Sequence, residues 1–150
     1  MNKIKVIIAD DNMHYTKNLE KYLNRCEKID ILDVVSTDEE EIKAIEELKP
    51  DIVITDLRRN EKDSGLDIIK EYESREDSPI FFVISGSLVP YLKNVAAFMF
   101  KPVDDYDRII AEINRIYEER INIDNNEEER KRFVNQNIGP FRRLLNNLIH

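Results

Sequence analysis

Apolar residues in this chain gather in short unbroken runs, and after each run they recur instead every three or four positions. The runs read as buried strands and the recurrences as amphipathic helices. IKVIIADDN, residues 4–12, is the first run and closes on Asp10 and Asp11, which places both acids at a strand end. Tyr15, Leu19, Tyr22, Leu23 and Cys26 then share one helical face, leaving Lys17, Glu20 and Lys21 on the wet side. ILDVV, 31–35, is a second strand, and Thr37 with Glu40 three residues on forms a capping box for a helix burying Ala44, Ile45 and Leu48, ended by Pro50. DIVITDL, 51–57, is a third strand, and it delivers Asp56 to its carboxyl end.

After a polar loop, RRNEKDSG, Gly65 is expected to supply a positive φ before Leu66, Ile68, Ile69 and Tyr72 open a third helix. IFFVISGS, 80–87, is the fourth strand and AAFMF, ending at Phe100, the fifth. Only about fifteen residues separate Ser85 from Lys101, so a helix in LVPYLKNV spans barely two turns, and Pro90 shortens it further. Beyond Lys101-Pro102, Asp104 caps a last helix with a stripe of Ile109, Ile110, Ile113, Ile116 and Tyr117. Alternating strands and helices with short connections predict a parallel α/β sheet, helices on both faces and right-handed crossovers.

The division expected is a main domain over 1–120 and an extension or linker over 121–150. In the latter, Phe141, Leu144, Leu145, Leu148 and Ile149 repeat at helical spacing after Gly139-Pro140. About thirty residues are too few for a domain of their own, so the stripe is expected to pack on the last helix of the main body or to form a homodimer contact.

Composition narrows the function. A net charge of −8 over 150 residues argues against a nucleic-acid surface, since phosphate backbones call for a basic footprint. The basic cluster Arg130, Lys131, Arg132, Arg142 and Arg143 is offset by Glu127–Glu129, and residues 118–150 are neutral overall. No long apolar run or signal-like amino terminus is present, so no membrane contact and a cytoplasmic location are expected. The single Cys26 reads as a small core residue, and His14 and His150 have no metal-ligand spacing.

The strand ends present Asp10, Asp11, Asp56, Ser85 and Lys101. Each alone is an ordinary turn or cap. Together they put three carboxylates, a hydroxyl and an ammonium at one rim of the sheet, where open α/β folds bind ligands. Unit charges about 4 Å apart repel by on the order of 4 kcal/mol at an effective dielectric near 20, so the acids call for a cation, and hard oxygen ligands suit magnesium. With Mg2+ and Lys101 screening the anions, Asp56 can attack phosphorus while Ser85 hydrogen-bonds a phosphoryl oxygen.

This set, carried by ADDN, VITDL, VISGS and FKP in order, resembles the receiver domain of bacterial two-component response regulators over residues 4 to about 120. The opening KIKVIIADDN is similar to the sporulation-type branch. The resemblance implies a doubly wound, flavodoxin-like fold with strand order 2-1-3-4-5, here with a shortened fourth helix and a helical C-terminal extension. It implies Asp56 as phosphoacceptor, Asp11, Asp56 and the Arg58 backbone carbonyl as direct Mg2+ ligands, and Asp10 acting through water. Lys101 would contact the phosphoryl group, Ser85 would be the switch hydroxyl and Phe98 the switch aromatic. The implied partner is a sensor histidine kinase or phosphotransfer protein.

Three features depart from the family pattern. The loop after Asp56 lacks the usual Met-Pro, is one residue longer before Gly65, and carries Arg58 and Arg59, whose side chains are expected to reach toward the phosphoryl group. The interval from Ser85 to Lys101 is short, and no complete DNA-binding domain follows. The alternative reading is a receiver-like interaction module that takes no phosphoryl group. A hydrolase with an aspartyl-phosphate intermediate would need an acid two residues after Asp56, where Arg58 stands.

Overall fold

A computed structural model describes residues 2–121 of the chain. The chain divides into two units after Asn114, and of the second unit Arg115–Ile121 falls among the described residues. The expected apolar stripe from Phe141 to Ile149 and its dimer contact lie outside them.

The elements follow the anticipated alternation: β1 Ile4–Ala9, α1 Met13–Leu23, β2 Ile29–Val35, α2 Asp38–Leu48, β3 Ile52–Thr55, α3 Ser64–Glu73, β4 Ile80–Ser85, β5 Val95–Phe100 and α4 Tyr106–Ile116. The strands form one parallel sheet in the order β2-β1-β3-β4-β5. All four residues of the central β3 are buried, as an interior strand covered on both faces requires. Strand alternation sends Ile7, Ala9, Val53, Phe81 and Val83 into a core shared with Ala44 and Ile45 of α2 and Ile68, Ile69 and Tyr72 of α3. Ile8, Ile54, Phe82 and Ile84 alternate to the other face and are equally buried. On that side α1 and α4 meet: the Tyr22 and Tyr106 rings lie 5.2 Å apart, and the Tyr22 hydroxyl donates to Asp107 at 2.5 Å. Each fully buried isoleucine or phenylalanine stabilises this arrangement by on the order of 1.5–3 kcal/mol.

Local chemistry sets the helix ends. Asn12 caps α1 by accepting from the Tyr15 amide at 3.1 Å. Thr37 caps α2 by accepting from the Glu40 amide at 3.2 Å, and the Glu40 carboxylate accepts the Thr37 hydroxyl at 2.9 Å. Lys49, left-handed at φ 50°, closes α2 ahead of Pro50. Leu48, expected inside, is exposed at the end of that helix, whereas Glu41 in its first turn is buried with Ala44 and Ile45.

Two expectations need correction. Gly65 has no positive φ; it is helical, in the first turn of α3. Its lack of a side chain matters instead because a Cβ there would overlap the carbonyl oxygen of Asp56 and stand 3.0 Å from Leu57. The glycine lets α3 begin against the strand end that carries the acid.

The shortened helix between β4 and β5 is absent altogether: residues 86–94 run as an extended strap ending in a turn. Pro90 removes a helical donor, and nine residues between strand ends leave no length for a helix that must also return. Other bonds hold the strap. Leu92 and Val89 pack on the α2/α3 core, and the Asn94 side-chain amide donates to the Ile69 carbonyl at 3.0 Å and to Ser78 Oγ at 3.3 Å. The edge strand β5 is consequently only half-buried, and Phe100, Leu88 and Tyr91 are 56%, 77% and 95% exposed.

Candidate functional site

The carboxyl ends of β1, β3 and β5 bring Asp10, Asp11, Asp56 and Lys101 together. Oxygens of the three carboxylates lie within 4.8 Å of one another. The Lys101 ammonium sits between two of them, 2.6 Å from Asp10 Oδ2 and 3.0 Å from Asp56 Oδ2. Asp10 and Asp56 are buried, while Asp11 faces solvent and gives the cluster an open side. Lys101 arrives there because it follows β5 directly, with its amide donating to the Ser85 carbonyl at 3.0 Å and a cis peptide bond to Pro102 after it.

Backbone amides complete the pocket. The Asn12 amide donates to Asp10 Oδ1 at 2.9 Å, the Arg58 amide to Asp56 Oδ1 at 3.3 Å and the Asn60 amide to Asp11 Oδ2 at 3.3 Å. Burial pushes the Asp10 carboxyl above its ordinary range, against the pull of the Lys101 bond and the Asn12 amide. Burial pulls the Lys101 ammonium down, but its bonds to Asp10 and Asp56 outweigh this and leave it above its usual value. The 2.6 Å contact is the length of a charge-assisted hydrogen bond between the Lys101 ammonium and the Asp10 carboxylate.

The remaining sequence-derived residues fall around this centre. Ser85 is fully buried at the end of β4, and its Oγ accepts from the Ser87 amide at 3.3 Å. Phe98 is half-buried on β5 beside Val83, packed on the α2/α3 core and edge-on to Phe100 at 4.6 Å. The Arg58 side chain is exposed while its backbone lies along Asp56.

Arg59 departs from expectation. It does not reach toward a phosphoryl position; it turns inward, 4% exposed, to Glu41 and Asp38 of α2. The four acids in the first turn of α2, Asp38 to Glu41, therefore include one wholly buried carboxylate.

Tyr15 is a neighbour that periodicity assigned to the helix core. Its ring lies 5.5 Å from the Lys101 ammonium, and burial raises its hydroxyl well above the ordinary tyrosine range. Asn12 and Asn60 act through backbone amides, so residue type carried no signal for them.

Chemically, the cluster offers oxygen ligands for a divalent cation and a nucleophilic carboxylate with an ammonium poised beside it. The strand order is that of response-regulator receiver domains, and the chain has their fold. Solved structures similar to it include the receiver domain of the putative response regulator NarL from Mycobacterium tuberculosis, at 17% identity and a TM-score of 0.68, covering 80% of this chain and 100% of that one. The response regulator domain of Thermotoga maritima CheB matches at 15% identity and a TM-score of 0.64, covering 76% and 96%. A LuxR-family DNA-binding response regulator from Staphylococcus aureus matches at 20% and 0.65, covering 75% and 98%.

In sequence, the uncharacterized transcriptional regulatory protein YhcZ of Bacillus subtilis (strain 168) is 32% identical over 84 residues, 56% of this chain and 39% of that protein. The transcriptional regulatory protein YdfI of the same organism is 29% identical over 79 residues, 53% of this chain and 37% of that protein. The chain thus spans well under half the length of these relatives. No protein-family model matches it. Among the described residues no helix is long and apolar enough to cross a membrane.

Proposed function

We propose that the chain is a phosphorylation-controlled receiver: Asp56 accepts a phosphoryl group from a sensor histidine kinase or phosphotransfer protein, with Mg2+, and the event alters a protein contact. The observation that carries this reading is the Lys101 ammonium bridging Asp10 and Asp56 inside a three-carboxylate cluster. An all-oxygen donor set with one solvent-facing member fits magnesium, which keeps several waters when bound. Asp11, Asp56 and the Arg58 carbonyl would hold it directly and Asp10 through water. When bound, magnesium offsets the charge of the phosphodonor and of the carboxylates.

The chain's own residues do the rest. An Asp56 carboxylate oxygen attacks phosphorus, the phosphorus–nitrogen bond to the donor histidine breaks, and its electron pair returns to the imidazole, which takes up a proton. Lys101 shifts its hydrogen bonds from the carboxylates to the transferring oxygens, where charge develops. Ser85, whose Oγ already accepts from Ser87, keeps its proton free to donate to a phosphoryl oxygen. Phe98 then follows Ser85 as the switch aromatic. This chemistry modifies the chain itself and is not turnover of a substrate. A kinase partner of this sort places the chain in the cytoplasm.

A second reading, an interaction module that takes no phosphoryl group, is favoured by the missing helix between β4 and β5. Acetyl phosphate with Mg2+ separates the two. The first reading expects a gain of one phosphoryl mass, absent in Asp56→Asn; no gain in the parent chain, or a gain kept in Asp56→Asn, refutes it.

A further inference from the structure

A folded domain buries an arginine only with partners at hand, and Arg59 has an unusual number of them. One arm of its guanidinium, Nη2, forms a close ion pair with the fully buried Glu41 and donates to Thr55 Oγ1 at 2.6 Å and to the Asp56 carbonyl oxygen at 3.2 Å. The other arm, Nη1, lies 2.8 Å from Asp38 Oδ1. Thus one side chain ties the first turn of α2 to the end of β3.

Its backbone is equally constrained. The Arg59 amide donates to the Lys62 carbonyl at 2.8 Å and the Lys62 amide returns the bond at 3.0 Å, around Asn60 and Glu61 at φ 50° and 64°. Two left-handed central residues between reciprocally bonded neighbours make a tight two-residue hairpin. The residues flanking Arg59 are the ones whose amides reach the acids: Arg58 to Asp56 and Asn60 to Asp11.

We infer that Arg59 is a positioning residue for the acidic pocket. By fastening the hairpin to the Asp56 carbonyl, Thr55 and α2, it holds the Arg58 and Asn60 amides on their carboxylates and so sets the geometry in which those carboxylates take a divalent cation. The cation part of this inference rests on the function proposed above. Outer-shell groups that orient ligands typically change metal affinity about 10–100-fold when removed. Arg59 itself touches neither a cation nor a phosphoryl group in this role; the exposed guanidinium of the loop is that of Arg58, whose Nη2 lies 3.5 Å from the Glu61 carbonyl oxygen.

The test uses the double variant Glu41→Leu/Arg59→Met in the full chain. Replacing a buried ion pair by apolar side chains of similar volume commonly leaves stability unchanged or improves it, so core packing is kept while the fastening is lost. Amide hydrogen exchange at Arg58 and Asn60, read without metal, is expected to speed up about tenfold or more, and Mg2+ affinity to fall about 10–100-fold. A folded double variant with unchanged exchange at both amides and unchanged Mg2+ affinity overturns the inference.

If the double variant does not fold, Arg59→Lys decides. It keeps a charge facing Glu41 but loses the second arm, so accelerated exchange supports the inference and unchanged exchange overturns it. Should the parent chain bind no Mg2+, the proposed function fails, while the exchange readout still decides whether Arg59 positions the hairpin.

Discussion

Gly65 and Asp56 are in contact through their backbones: a Cβ on the glycine would occupy the space of the aspartate's carbonyl oxygen, and the Gly65 amide donates to the Leu57 carbonyl at 3.0 Å. The start of α3 is therefore seated on the strand end that presents the candidate nucleophile. Gly65→Ala forces that carbonyl or the helix to move. We expect a loss of about 1–3 kcal/mol, as for other overpacked sites, measured by urea unfolding, together with slower phosphoryl uptake on Asp56. An alanine variant as stable and as reactive as the parent contradicts this contact.

Lys101 bridges two buried acids. Lys101→Met leaves Asp10 and Asp56 facing each other without their cation, at a cost of roughly 1.5–3 kcal/mol for lost charged hydrogen bonds. Magnesium should restore part of that stability in thermal melts, by more than it stabilises the parent chain. Equal magnesium shifts in the two proteins would show that the ammonium does not share the pocket.

Glu41→Leu alone takes away the buried partner of the Arg59 charge and leaves it only the partly exposed Asp38. Removing one partner of a buried pair typically costs about 3–5 kcal/mol, so this single variant is expected to be much less stable than the double variant with Arg59→Met, as denaturant midpoints would show.

An exposed cluster sets one part of the acid response. The Arg75 guanidinium donates to Glu46 at 2.7 Å, and the Tyr72 hydroxyl donates to the same carboxylate at 2.6 Å, holding Glu46 at about 2, well below its ordinary 4.5. A carboxyl depressed on folding contributes stability that is present above about 4.5 and lost as pH falls through 4.5 toward 2. Glu46→Gln should flatten the stability profile in that window and leave its slope above pH 5 unchanged within about the error of the extrapolation.

The strap between β4 and β5 depends on Asn94. Asn94→Ala removes the donors to Ile69 and Ser78, two hydrogen bonds from one buried side chain, and is expected to cost about 1–3 kcal/mol. Tyr91→Ser, at a side chain 95% exposed, should change stability by less than about 0.5 kcal/mol in the same assay.

Strand positions, helix faces and the acid cluster were legible because each follows from local periodicity and from where a strand must end. Asp10, Asp11, Asp56 and Lys101 needed no knowledge of loop geometry, since parallel strands in one sheet bring their carboxyl ends to one rim. Arg59 was misread because its partner is on another helix, and two adjacent arginines in a polar loop look alike until one is turned inward. A signal for Glu41 did exist: with Ala44 and Ile45 it falls on one helical stripe, so its burial follows from the same spacing that located its neighbours. The strap was legible only as a shortage of length. Its route depends on Asn94 finding a carbonyl on α3, which no local pattern encodes.

Ser85 and Phe100 are paired across β4 and β5, and the ribbon that joins these strands has no rod-like element within it. With no helix there to tilt, a disturbance beginning at the serine would pass to β5 through the pairing of the two strands and the strap that joins them. The large apolar side chains that this ribbon and its strand leave to solvent are Leu88, Tyr91 and Phe100.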